Sequence, residues 1–120
     1  MTSHKDLQVY QESLLLVKDV YSLVSFFPKD ELFGLTSQMK RCAISIPSNI
    51  AEGAGRKGSA EFARFLYISM GSLSELETQL DIAIMLNFCH KNVEMTQRIF
   101  YIKNMLSKLI LSINKTKPTV

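Results

Sequence analysis

The sequence predicts an all-α protein, an antiparallel up-and-down four-helix bundle with a proline-interrupted second helix. In four separate segments, apolar residues recur every three or four positions, as they do on one face of a helix. No segment shows the sustained alternation of a β-strand. The connections between the segments are only a few residues long, which favours antiparallel neighbours. The 120 residues, 47% of them hydrophobic and 21% charged, are expected to form a single domain over residues 1–120.

The first helix is predicted over residues 6–26. Its seam steps by four, three, four and three through Tyr10, Leu14, Val17, Tyr21 and Val24. A second apolar set widens this stripe, which indicates packing against two neighbouring helices: Leu16, Val20, Leu23 and Phe27. Pro28 ends the helix, because a residue that precedes proline is pushed out of the helical region.

The second helix is predicted to begin at Leu32 or Leu35 and to end near Glu52. Its apolar stripe consists of Leu35, Met39, Cys42, Ile46 and Ile50. Pro47 has no N–H to donate to the carbonyl of Ala43 and its ring crowds that carbonyl, so the helix is expected to kink or restart there. Polar neighbours that can bond the freed backbone groups are Ser45, Ser48 and Asn49.

The third helix is predicted from Ser59 or Ala60 to about Asn87. Its seam is Phe62, Leu66, Ser69, Leu73, Leu76, Leu80 and Ala83. Gly71 lies near its middle, where we expect a neighbouring backbone to come close.

The fourth helix is predicted to start at a capping Asn92, with Glu94 in its first turn, where the helix dipole favours an anion. Its seam is Met95, Ile99, Ile102, Leu106, Leu109 and Ile113. The polar, proline-containing tail over residues 114–120 is not expected to continue the helix.

Several apolar residues fall outside these seams. They are Phe65, Ile68, Phe100, Tyr101 and Ile110. Self-association would bury them, and homo-oligomers are the common solution. A thicker core within one chain is the alternative.

The charge of +3 is unevenly distributed. A first basic set surrounds the second helix and consists of Lys40, Arg41, Arg56, Lys57 and Arg64; a second consists of Arg98, Lys103, Lys108, Lys115 and Lys117. This asymmetry suits contact with RNA or another nucleic acid. A solvated helix face is the alternative explanation.

Residues 53–58, GAGRKG, match the GxGxxG pattern of dinucleotide-binding proteins. That pattern requires a preceding buried strand, and here a helix precedes it, so we reject a dinucleotide site. The same residues are better explained as glycines that end the second helix, followed by Ser59 at the start of the third. The N–H groups of that helix start, with Arg56, Lys57 and Arg64, would hold a phosphate; a plain basic loop is the alternative.

No catalytic, cofactor-binding or metal-binding residues are predicted, and we expect the protein not to be an enzyme. His4 and His90 lack partners at the spacing of zinc or di-iron sites. Cys42 and Cys89 are interpreted as reduced thiols of a cytoplasmic protein, a disulfide between them being the less favoured alternative. No run of apolar residues is long enough to cross a membrane, so no membrane contact is expected. The acidic residues Glu75, Glu77 and Asp81 are expected to form ion pairs with a neighbouring helix or protomer.

Three runs, GLTSQMKR at 34–41, SIPSNIAEG at 45–53 and FLYISMGSLSELETQL at 65–80, carry a resemblance. With the opening helix they make the chain similar to the 23S ribosomal RNA intervening-sequence protein family, small bacterial four-helix-bundle proteins; the fourth helix departs most. The resemblance implies a ring-shaped homopentamer. It also implies kinship with accessory proteins of diversity-generating retroelements, which bind nucleic acid and a reverse transcriptase. The residues corresponding to their basic surfaces are Lys40, Arg41, Arg56, Lys57 and Arg64.

The sequence therefore predicts a non-enzymatic, oligomeric bundle that binds structured RNA or another nucleic acid through a basic surface. The alternative is an oligomeric scaffold that binds a protein partner, such as a reverse transcriptase, without touching nucleic acid.

Overall fold

The computed structural model describes residues 3–115, which form four long helices and contain no strand. The helices are α1 (Gln8–Val24), α2 (Leu35–Ala54), α3 (Ser59–Met85) and α4 (Val93–Lys115). Single 3₁₀ turns, His4–Asp6 and Lys29–Glu31, precede α1 and α2. The all-α prediction is confirmed, and Leu35 and Ser59 are the correct choices for the two uncertain starts.

Neighbouring helices run antiparallel, and α4 packs against α1 to close the bundle. Residues later in α2 contact residues earlier in α3: Cys42 is hydrogen-bonded to Ser72, and Ile46 is hydrogen-bonded to Ser69. The same holds for α1 and α4, where Gln8 bonds Tyr101 and Glu12 pairs with Arg98. The bundle is 54 Å long and 23 Å across.

The core is built from the predicted stripes of α2, α3 and α4. The side chains that are fully buried in these helices include Met39, Ile46, Ile50, Leu66, Leu73, Leu76, Ile102 and Leu106. Leu109 and Ile113, at the end of the predicted α4 seam, are half-buried and pack against this core. The structure adds Ile110 to the buried residues of α4.

The predicted seam of α1 is only partly correct: Val24 is buried and Tyr10 and Val17 pack against the core, but the second predicted set, with Leu16 and Val20, is buried more completely. Leu14 is 46% and Tyr21 is 41% exposed, whereas the stripe that faces the core is Val9, Ser13, Leu16, Val20 and Val24. Both stripes of α1 are apolar, so helical periodicity could not distinguish them. The buried stripe is the one that faces α2 and α4 together.

Pro47 lies inside α2, which continues through it as one helix, so the predicted restart does not occur. Proline removes one hydrogen bond from a helix, and nearby polar side chains donate to backbone carbonyls just before Pro47. The Asn49 amide donates to the Ser45 carbonyl at 2.7 Å, and the Ser69 hydroxyl donates to the Ile46 carbonyl at 2.9 Å. The buried ring of Pro47 thus lies in a helix that does not restart.

The close approach expected at Gly71 is found instead at Gly53. A Cβ at position 71 would meet no atom within 4 Å, because Gly71 is exposed. A Cβ at position 53 would lie 2.7 Å from the Cβ of Phe65. Because Gly53 has no side chain, α2 and α3 can pack closely near the turn that joins them.

The start of α4 agrees with the prediction. The Asn92 side chain accepts a hydrogen bond from the N–H of Met95 at 3.0 Å, and Glu94 lies in the first turn. Of the apolar residues outside the seams, Phe65 and Ile110 are buried while Ile68, Phe100 and Tyr101 are exposed. None of the helices within residues 3–115 is long and apolar enough to cross a membrane.

Candidate nucleic-acid interface

A shallow polar channel runs along the outer side of the α2–α3 pair, and we call it the α2–α3 groove. It has a volume of about 400 Å³ and is lined by Gln38, Arg41, Cys42, Ser45, Asn49, Ile68, Ser72 and Glu75. These residues recur at helical spacing on the facing sides of the two helices, which brings them into one channel. The groove holds the predicted site residue Arg41.

Hydrogen bonds donated by small side chains link α2 to α3 beneath this groove. The Cys42 thiol donates to the Ser72 carbonyl at 3.0 Å, and the hydroxyls of Ser45 and Ser72 lie 2.7 Å apart. One turn further, the Ser69 hydroxyl bonds the carbonyl of Ile46. Because each bond joins α2 to α3 at a particular pair of residues, together they fix how the two helices are aligned.

Two arginines flank one aromatic ring where α2 turns into α3, and we call Arg56, Phe65 and Arg64 the arginine–phenylalanine cluster. The guanidinium carbons of Arg56 and Arg64 lie 5.3 and 4.5 Å from the centroid of the Phe65 ring, within the range of cation–π attraction. Phe65 is only 8% exposed. The cluster explains how an aromatic residue outside the predicted seam becomes buried.

Each of these arginines also touches a glutamate. The Arg64 Nε donates to Glu61 at 2.7 Å, and the Arg56 Nε lies 3.4 Å from a carboxylate oxygen of Glu52. The hydrogen bond from Arg64 lowers the pKa of Glu61, and the same bond raises the pKa of Arg64. A carboxyl group whose pKa is lowered by folding stabilises the folded protein at pH values above its unfolded-state pKa. This stabilisation is lost as the pH falls through the pKa of the folded state.

The tight turn between α2 and α3 determines where the arginine–phenylalanine cluster lies. The loop between α2 and α3 spans residues 55–58, and Gly58 adopts a φ of +90°, a conformation that glycine reaches without strain. This turn brings Phe65 on α3 back against Gly53 on α2. Lys57 is exposed in the loop, at the same end of the bundle as the cluster.

Four of the five predicted site residues lie in the α2–α3 groove or at the end of the bundle where α2 turns into α3. Arg41 lies in the α2–α3 groove, and Arg56, Lys57 and Arg64 lie at or beside the arginine–phenylalanine cluster. Lys40 does not join them, because its ammonium group lies 4.9 Å above the ring of Tyr21 on the α1–α2 side. Adjacent residues of a helix point about 100° apart, which separates Lys40 from Arg41.

Two members of the second basic set, Arg98 and Lys103, join helices. Arg98 pairs with Glu12 at 2.6 Å and with Asp19 at 2.9 Å, linking α4 to α1, and Lys103 pairs with Glu77 of α3. The last pair confirms that an acidic residue of α3 bonds a neighbouring helix. Lys108 and Lys115 are exposed on α4, and Lys117 lies outside the described residues.

The remaining groups with potential chemistry are the two cysteines, the glycine-rich segment and the possible metal ligands. Both cysteines are free thiols, and burial raises the pKa of Cys42 to about 11, with a smaller contribution from Glu75. The GxGxxG-like residues follow a helix, with no strand before them in the described part of the chain. No group of three or more potential metal ligands occurs within residues 3–115.

Comparison with protein families gives one match. A sequence model of the family described as 23S rRNA-intervening sequence protein matches residues 5–108, which is most of the chain. The chain belongs to the 23S rRNA-intervening sequence protein family. No curated protein matches this sequence. The family assignment confirms the resemblance carried by the runs at 34–41, 45–53 and 65–80, which all lie inside the matched residues of this intervening-sequence protein.

Sequence reasoning missed the roles of Phe65, Glu52 and Glu61 at this surface. The spacing from Glu52 to Arg56 and from Glu61 to Arg64 is the signal that was available, since residues three or four apart on a helix are neighbours. The position of Phe65 between the two arginines depends on the turn at Gly58 and could not be read from spacing alone.

Proposed function

We propose that the protein is a non-enzymatic, self-associating bundle of the cytoplasm that binds structured RNA through its α2–α3 side. The contacting cations are Arg41, Arg56, Lys57 and Arg64. One observation carries the proposal: Arg41 lies in the α2–α3 groove, the other three cations lie where α2 turns into α3, and the side chains of Arg41 and Lys57 make no ion pair within residues 3–115. The name of the family, which refers to an intervening sequence of 23S rRNA, makes RNA the nucleic acid to test first.

The spacing of these cations suits an extended polyanion. Arg41 and Arg56 are 15 residues apart, which corresponds to about 22 Å along a helix. A nucleic-acid duplex presents many phosphates over that length, whereas a small anion would reach only one of the two arginines. Binding is therefore expected to weaken steeply as salt rises, because each neutralised phosphate releases counterions.

A binding measurement with matched variants tests the proposal. The probe is a fluorescein-labelled RNA hairpin, titrated with protein at several salt concentrations. The double variant Arg41→Gln/Lys57→Gln is expected to bind at least ~10-fold more weakly, with a shallower dependence on salt. The control Lys18→Gln/Lys91→Gln removes the same charge from exposed positions outside the α2–α3 side and is expected to bind nearly as tightly as the unaltered protein. Equal losses for both variants would contradict the proposed surface.

Self-association is supported by a second groove, lined by apolar side chains. This α1–α2 groove has a volume of about 280 Å³ and is lined by Tyr10, Leu14, Val17, Ile44, Pro47, Ser48 and Ala51. Leu14 and Ile44 are each more than two-fifths exposed in the single chain. Covering them in an assembly would remove apolar surface from water. A ring of five copies is the form that the family resemblance implies.

Assembly can be measured by sedimentation equilibrium. Ile44→Lys would bring a charge into the covered groove, and we expect the complex to dissociate into single chains. Ser107→Lys, at an exposed position of α4, is the matched control and should leave the mass unchanged. A single-chain mass for the unaltered protein would contradict the assembly.

A second candidate function is a scaffold that binds a protein partner, such as a reverse transcriptase, without touching nucleic acid. The observation that favours it is the exposure of two aromatic rings near the α1–α2 turn, Phe26 at 81% and Phe33 at 93%. The ultraviolet absorbance ratio of the purified protein distinguishes the candidates. Copurifying RNA favours the first, while nucleic-acid-free protein that shows no hairpin binding favours the scaffold.

A further inference from the structure

We propose that Glu52 and Glu61 set the affinity and selectivity of the RNA site by competing with phosphates for Arg56 and Arg64. This inference rests on the proposed function, because it assumes that phosphates approach the arginine–phenylalanine cluster. It goes beyond it by assigning a role to two acidic residues that a simple basic surface would not contain.

The geometry shows that both arginines are already engaged by carboxylates. Glu61 accepts from the Nε of Arg64 at 2.7 Å and from its Nη2 at 3.4 Å, so that the carboxylate takes two guanidinium nitrogens. Glu52 lies 3.4 Å from the Nε of Arg56. A phosphate prefers the same pair of nitrogens on a guanidinium as a carboxylate does. It must therefore share or replace these contacts.

The glutamates are not needed to hold the arginines in position. The ring of Phe65 lies beneath both guanidinium groups, and it is fixed by burial against Gly53. All four charged side chains are about half exposed, so water screens the ion pairs and they contribute little to stability. Removing the glutamate charges should thus leave the arginines on the ring.

The dominant effect of the two carboxylates on RNA binding is repulsion. A carboxylate left about 6 Å from a bound phosphate weakens binding by about three-fold in water, and two such groups weaken it by about ten-fold. An isolated phosphate cannot offset this repulsion. A ligand that brings closely spaced phosphates to Arg56, Arg64 and Lys57 together can do so, and the site consequently favours densely charged RNA.

The test compares Glu52→Gln/Glu61→Gln with the unaltered protein, using the labelled RNA hairpin and, separately, inorganic phosphate as a competitor. We expect the hairpin to bind about ten-fold more tightly at low salt, and the gain to shrink at high salt as charges are screened. We also expect inorganic phosphate to become a better competitor. The control Asp30→Asn/Glu94→Gln makes the same change in net charge at exposed positions outside the cluster. Circular dichroism checks that each variant is folded, and Glu61→Gln alone serves if the double variant is not.

The outcomes separate this inference from the function on which it rests. If the hairpin binds the unaltered protein and Arg41→Gln/Lys57→Gln weakens it, but Glu52→Gln/Glu61→Gln changes nothing, the inference is overturned and the proposed function stands. An equal gain in the control overturns the inference as well, since net charge alone would explain it. Absence of hairpin binding by the unaltered protein overturns the proposed function itself.

Discussion

Gly53 and Gly71 show how differently one residue type acts at two places in the same bundle. Gly53 lies where α2 and α3 touch, and a methyl group there would lie 2.7 Å from Phe65 and 3.1 Å from Phe62. Gly71 is exposed on α3 with open space around it. The sequence alone suggested a packing role for Gly71, because it lies mid-helix beside small residues.

The two glycines make a matched pair of substitutions. Gly53→Ala is expected to lower the free energy of unfolding by about 1–3 kcal/mol, because the crowded atoms belong to or lie next to backbone. Gly71→Ala is expected to raise it by about 0.5–1 kcal/mol, since alanine favours the helix and meets no clash. Urea denaturation of both variants measures the difference. A stabilised Gly53→Ala protein would contradict the close approach.

The two thiols are expected to differ in reactivity. Burial raises the pKa of Cys42 to about 11, and its Sγ–H is bonded to the Ser72 carbonyl, so little thiolate is present at neutral pH. Cys89 is only half-buried, although its pKa is also raised by burial. Labelling with a thiol reagent at pH 8 should modify Cys89 first. In a Cys89→Ser protein the remaining thiol should react only slowly, and rapid modification of Cys42 would contradict its burial.

At the scale of the helix, the start of α4 depends on one side chain. The Asn92 oxygen accepts from the N–H of Met95, satisfying a backbone donor that has no partner within the helix. Asn92→Ala should lower the free energy of unfolding by about 1 kcal/mol. Asn104→Ala, at an exposed position inside α4, should instead be neutral or slightly stabilising. Thermal unfolding of the two variants gives the comparison, and equal behaviour would exclude a capping role.

Pro47 links the course of α2 to the proposed assembly. Its ring lines the α1–α2 groove with Leu14 and Ile44. In Pro47→Ala the helix gains an N–H that can bond the Ala43 carbonyl, while the groove loses part of its apolar wall. We therefore expect a folded chain whose assembly is weaker, measured by sedimentation. Unchanged assembly and unchanged unfolding free energy would leave Pro47 without the architectural role that its place in the groove suggests.

Sequence patterns predicted all four helices and the buried stripes of three of them, and were only partly right for α1, where the choice of stripe depended on neighbouring helices. In α2, Met39, Ile46 and Ile50 belong to the predicted apolar stripe and all three are fully buried. In α1, apolar residues occur on both faces, and only the positions of α2 and α4 decide which is covered. The periodicity of apolar residues describes a single helix and does not predict which other helices contact it.

The whole molecule is closed by a charged contact between its first and last helices. Arg98 on α4 bonds Glu12 and Asp19 on α1, and its side chain is less than one-third exposed. Arg98→Ala would leave two carboxylates without their shared partner and should cost about 1–2 kcal/mol. Lys108→Ala, at an exposed position, should change stability by less than about 0.5 kcal/mol. Chemical denaturation at low and high salt tests both, and the Arg98 effect should be smaller at high salt.

The sequence predicted which residues belong to the candidate site, but only part of how they are arranged. The five cations were visible in the sequence, and four of them lie in the α2–α3 groove or where α2 turns into α3. Lys40 was grouped with Arg41 because they are adjacent, yet neighbouring residues on a helix face different directions, and Tyr21 holds Lys40 on the α1–α2 side. The shared position of Arg56 and Arg64 on Phe65 depends on the turn between two helices, which residue spacing does not describe.

The hydrogen bonds across the α2–α3 pair fix the position of one helix along the other. Bonds from Cys42 to Ser72 and from Ser69 to Ile46 allow only one alignment, because sliding one helix by a turn, about 5.4 Å, would break both. Arg41 on α2 and Arg64 on α3 are thereby held at a constant separation. If the proposed RNA contacts are correct, a flexible polyanion can adjust to that separation while a stiff duplex must match it, so RNA shape as well as charge would affect binding.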